Sequence, residues 1–117
     1  MSSIANHVVT PFQIEQRLME LSTLIDEAHL ELRSAEEEYH AAKSAFEVTY
    51  ARAFMSADEK NAEACKHRAV LDTKDEKTRL AKAEAIVRAA RANTARLEQQ
   101  VDITRSIGRL VTSSMNL

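Results

Sequence analysis

Between residues 18 and 53 the chain sets apolar or small residues in alternating steps of three and four: Leu18, Leu21, Ile25, Ala28, Leu32, Ala35, Tyr39, Ala42, Phe46, Thr49 and Ala53. Five heptads without a stutter draw one narrow stripe along an α-helix, the seam of a coiled coil. One row of the seam is large (Leu18, Ile25, Leu32, Tyr39, Phe46) and the other mostly small (Leu21, Ala28, Ala35, Ala42, Thr49), so a neighbour can approach closely on one side. Such a helix needs a partner of similar length.

Its start is marked by Thr10-Pro11-Phe12-Gln13. Thr caps the free amides, Pro fits the first helical position, and Gln at the third bonds back to the cap. A second start signal follows at Ser56-Ala57-Asp58-Glu59, with Ser as cap and acids in the first turn, so the sharp turn is expected near Met55 and Ser56. The pattern is then weak and polar over residues 60 to 77. It resumes as Leu80, Ala83, Val87, Ala90, Thr94, Leu97, Val101, Thr104, Gly108 and Val111.

Composition agrees with this periodicity. Ala fills 19 of the 117 positions, aromatic residues make up 4%, and there is one Gly, one Pro and no Trp. Sheets and tight turns draw on the residues that are scarce here, and an Ala, Glu, Lys, Leu and Arg bias marks long helices. The expected fold is therefore all-α, a long antiparallel helical hairpin resembling a coiled coil, in a single domain. Residues 1–10 form an N-terminal arm, 11–55 helix 1, 56–100 helix 2 and 101–117 a C-terminal overhang. A slender helical hairpin with small core residues encloses no substrate-sized pocket, which argues against an enzyme.

The overhang follows from register. With the turn centred near residue 56, Pro11 faces the region of Val101 and everything beyond is left without a partner. That segment carries apolar residues on more than one face, so either Ile4, Val8 and Val9 fold over it or it meets another subunit; nine N-terminal residues are too few to cover both faces, and Val101, Ile103, Ile107, Leu110 and Val111 are the expected oligomerisation residues. A two-helix hairpin buries little core alone, which also points to a homo-oligomer.

Charge is unevenly spread. The chain has 16 basic and 18 acidic residues, but residues 11 to 55 hold four bases against nine acids, and residues 77 to 109 hold eight bases against three acids. The second helix is the part suited to an anion, and its candidate nucleic-acid contacts are Lys66, Arg68, Lys74, Lys77, Lys82, Arg88 and Arg91. Tyr39, Phe46, Tyr50 and Phe54 either fill the seam near the turn or offer a stacking surface for single-stranded bases. No run of about 18 apolar residues marks a membrane span, and a lone Cys65 gives no disulfide framework. No membrane association and a cytoplasmic location are the corresponding expectations.

Other chemistry is poorly supported. Glu37-x-x-His40 has a metal-ligand spacing on a helix, but both residues fall outside the seam and no second such pair exists. Cys65 lies two residues from both Glu63 and His67, and residues two apart on a helix point apart, which argues against a metal site and against a cysteine nucleophile. A single Gly makes no phosphate-binding loop. No catalytic residue, metal or cofactor is expected.

The run Tyr39-His-Ala-Ala-Lys-Ser-Ala-Phe-Glu-Val-Thr-Tyr-Ala-Arg-Ala-Phe, the later Ala-Lys-Ala-Glu-Ala-Ile-Val-Arg-Ala-Ala-Arg and the ending Gln100-Val-Asp-Ile-Thr-Arg-Ser-Ile-Gly-Arg resemble small helical proteins of tailed bacteriophages, in particular UvsY-type recombination mediators. The resemblance covers residues 20 to 112 and is one of pattern, helix length and endings. It implies a ring-forming protein that binds single-stranded DNA and helps load a RecA-like recombinase in place of single-strand-binding protein, in the host cytoplasm. The alternative is a coiled-coil scaffold or adaptor that docks a partner helix without nucleic acid. Small secreted WxG-type hairpins share the length but need a Trp at the turn, which this chain lacks.

Overall fold

A computed structural model describes residues 9–115 and contains three helices: α1 (Pro11–Ser56), α2 (Ala62–Asp72) and α3 (Lys74–Met115). The protein is an all-α helical hairpin. The expected N-terminal arm lies outside the described residues except for Val9 and Thr10. The α1 cap forms as its sequence requires: the Gln13 amide donates to Thr10 Oγ1 at 3.2 Å and the Thr10 amide to Gln13 Oε1 at 3.0 Å. Two orphan amides are thereby satisfied by side chains only three residues apart.

Both seams run as the periodicity requires. On α1 the small row is buried at Leu21, Ala28, Ala35 and Ala42, while the large row is half-buried at Leu18, Ile25, Leu32, Tyr39 and Phe46. On α3 Leu80, Ala83, Val87, Thr94, Leu97 and Thr104 are buried, and Ala90, Val101, Gly108 and Val111 are half-buried.

The described chain divides into two compact units, each antiparallel within itself. The first joins residues up to Leu30 with those from Ala92 onward. Its core is Leu21, Ala28 and Leu97 with Ile25 and Val101 packed against it, and Arg17 reaches across to Gln100 at 2.9 Å. The second unit is Glu31–Arg91, where Tyr39 and Phe46 pack on Ala42, Leu80 and Ala83.

Three expectations need correction. The turn lies further on than Ser56, which remains helical; the N-cap of α2 is Asn61, whose side-chain oxygen accepts from the Ala64 amide at 2.9 Å. Ser and Asn are both good caps, but α1 continues through Ser56, and the cap that forms after it is Asn61. Helix 2 is also not one piece. At Thr73 the backbone leaves helical angles (φ −112°, ψ 21°), with Oγ1 donating to the Ala69 carbonyl at 2.7 Å. The Thr73 amide keeps its own bond to the same carbonyl, at 3.1 Å, and the ladder resumes with the Lys77 amide donating to the Thr73 carbonyl at 3.0 Å, so the interruption is confined to one residue.

The third correction follows from the first. With the turn displaced, Gly108 lies against Ile14, and Pro11 shares a groove with Thr112 and Ser113 instead of facing Val101. The segment expected to overhang from residue 101 thus pairs with the start of α1 for most of its described length. Val101 belongs to the core of its own chain.

Candidate nucleic-acid interface

Lys66, Arg68, Lys74, Lys77, Lys82, Arg88 and Arg91 are all exposed, but they do not form one patch. Arg68 is held by Asp72 one turn on, at 3.3 Å. On α3, Lys74, Lys77, Arg88 and Arg91 are separated by three, eleven and three residues, spacings that return to one helix face. Lys82 falls off that face, and Lys66 and Arg68 belong to α2, beyond the break at Thr73.

Within unit Glu31–Arg91, three of these cations meet the aromatic residues of α1. The Lys77 ammonium stands 5.0 Å from the centre of the Phe46 ring, a cation–π geometry. Phe46 in turn lies against Tyr50, with ring centres 5.9 Å apart. One turn pair further along the seam, Tyr39 lines a shallow recess of about 310 Å³ with Glu84, Val87, Arg88 and Arg91. The cause is heptad register: Tyr39 and Phe46 occupy the large row, whose half-buried rings emerge along the helix–helix boundary beside the basic face of α3.

Acids temper this surface. Arg91 approaches Glu36 at 3.8 Å, a loose ion pair on the exposed surface. Such a pair is weak and yields readily to a phosphate. Arg79 belongs to a different arrangement: it donates from Nε and Nη2 to both oxygens of Glu38, at 3.0 and 2.8 Å. That hydrogen-bonded fork lowers the Glu38 carboxyl below its usual range and raises the Arg79 guanidinium. Sequence reasoning did not single out Arg79. Its partner is 41 residues away and is fixed only once the register is known.

The metal-like spacings carry no cluster. Glu37 and His40 are both exposed, Glu63 and His67 stand 3.8 Å apart on the surface, and Cys65 is half-buried with its thiol 3.7 Å from the Ala57 carbonyl. Among the described residues no three His, Cys, Asp or Glu side chains gather as metal ligands.

Of the oligomerisation candidates, Val101 and Val111 are half-buried, and Ile103, Ile107 and Leu110 are exposed. The last three recur at steps of four and three along one flank of α3. No described helix is long and apolar enough to cross a membrane. No protein-family model matches the chain, and no curated protein or solved structure matches it.

Proposed function

We propose that this protein is an oligomeric single-stranded-DNA-binding recombination mediator that helps load a RecA-like recombinase onto DNA covered by single-strand-binding protein. The observation that carries the reading is the meeting of Tyr39 and Phe46 with Lys77, Arg88 and Arg91. Single strands are gripped without sequence preference where π-faces for bases alternate with cations for phosphates. Repeating this modest surface around an assembly multiplies its pull on a polyanion. The host cytoplasm is the corresponding location.

Fluorescence anisotropy with a labelled oligothymidine tests it. Binding should be present at low salt and fall steeply as salt is added, and Tyr39→Ala should weaken it by about 1–3 kcal/mol. Absence of binding at low salt overturns the reading. Assembly is tested separately by light scattering: Ile107→Asp with Leu110→Asp should reduce the mass to a monomer or dimer.

A second reading is favoured by a different observation. Phe12, Met19 and Leu30, separated by seven and eleven residues, form an exposed apolar line on α1 opposite the buried Leu21 and Ala28. A scaffold or adaptor would use such a line to dock a partner helix. It predicts recovery of one specific protein by pull-down and indifference to DNA.

A further inference from the structure

At the end of the first unit, the opening turns of α1 and the last turns of α3 enclose an open groove of about 790 Å³. Its floor is aliphatic, made by Ile14, Leu18 and Gly108, and Arg105 and Arg109 stand on its α3 side. Gly108 is what lets the two helices approach here: a Cβ at that position would stand 3.0 Å from Ile14 Cγ2. The groove is large enough for several side chains of a bound ligand.

Charge decides what kind. Both arginines are exposed, and among the described residues neither has an ion pair; Arg109 only donates to its neighbour Ser106, at 3.0 Å. The start of α1 adds no acid in its first turn, so the positive end of its dipole is not offset there. Glu15 is the acid that lines the groove. Two guanidinium forks above an aliphatic floor suit a ligand with carboxylates at one end and apolar side chains at the other. A nucleic acid suits it less well, because no aromatic ring lines the groove for a base to stack on, in contrast to the surface around Tyr39.

We propose that this groove binds a short acidic peptide segment of a partner protein, with its carboxylates on Arg105 and Arg109 and an adjacent apolar side chain on Ile14 and Leu18. The site is separate from the proposed DNA surface, and neither reading depends on the other.

The probe is a fluorescein-labelled peptide of three aspartates followed by three leucines, titrated with the full chain. Saturable binding is expected, weakened at least tenfold by Arg105→Ala with Arg109→Ala and lost when the aspartates are replaced by lysines. Both arginines are exposed, so the variant should keep the wild-type circular dichroism melt, and it should retain oligothymidine binding. Three results overturn the proposal. The double variant binds the peptide as wild type does; oligothymidine displaces the peptide, which makes the groove a DNA subsite; or the peptide lowers the mass in light scattering, which makes the groove the seat of a second copy.

Discussion

Arg79 clasps Glu38 across the helix pair with two hydrogen bonds, of 3.0 and 2.8 Å, from one guanidinium edge to both carboxylate oxygens. The pair is half-exposed, so its weight is modest, but among the described residues it is the one whose geometry is bidentate and whose titration is displaced. Because Glu38 is lowered in the folded chain, its contribution is present above the unfolded carboxylate value and disappears as pH falls through the folded one. Glu38→Gln should therefore melt below the wild type from neutral pH down to about 5, and the gap should close below about pH 4. Thermal melts of both chains across that range check it; a gap that widens in acid refutes the assignment.

Leu21 is fully buried between Ala28 and Leu97, whereas Leu24, three residues on, is 40% exposed. Leu21→Ala removes core contacts with Ala28, Leu97, Ile25 and Val101, and should cost about 2–5 kcal/mol in urea unfolding. Leu24→Ala should cost roughly 1 kcal/mol or less. Equal losses at the two sites would contradict the seam.

Gly108 poses a contest between helix propensity and space. Gly108→Ala gains about 1 kcal/mol of helix propensity, but the new Cβ must push the Ile14 methyl aside by a few tenths of an ångström. In the wild type the two effects should roughly cancel. With Ile14→Ala the same change should stabilise by about 1 kcal/mol, so the double-mutant cycle should show a clear coupling. Additive effects would mean that the two residues do not touch.

Asn61 and Ser56 separate the two cap signals. Asn61→Ala removes the acceptor for the Ala64 amide and should destabilise by about 1 kcal/mol, while Ser56→Ala, inside the last turn of α1, should be nearly neutral. Denaturant unfolding of the two variants gives the answer. The reverse order would put the turn back at residue 56.

Heptad periodicity was enough to place every seam residue of α1 from Leu18 to Ala53 and of α3 from Leu80 to Val111, because burial of an apolar stripe is a local rule repeated many times. Register was not, because it hangs on one turn. A cap placed at Ser56 sets the facing partner of Pro11 about ten residues too early and turns a paired segment into an apparent overhang, because the next helix is capped five residues later, at Asn61. The interruption at Thr73 is hidden for another reason: Thr on a seam looks like any small core residue, and the departure from helical angles shows only in the folded backbone. For the site, the cations and the rings were visible as residue types. Their meeting at Tyr39, Phe46, Lys77, Arg88 and Arg91 depends on facing positions across the pair, which register alone supplies.

The short helix α2 buries a single residue, Ala69, and is fastened at its ends by Asn61 and Thr73. A segment so thinly anchored opens by itself, ahead of the long helices, because little apolar surface is exposed when it does. Its amides should be the first helical ones to take up deuterium. Cys65, half-buried on α2 and turned toward the Ala57 carbonyl, provides a built-in clock for the same event. The rate at which it reacts with a thiol reagent counts the openings of the hairpin tip without any label being introduced.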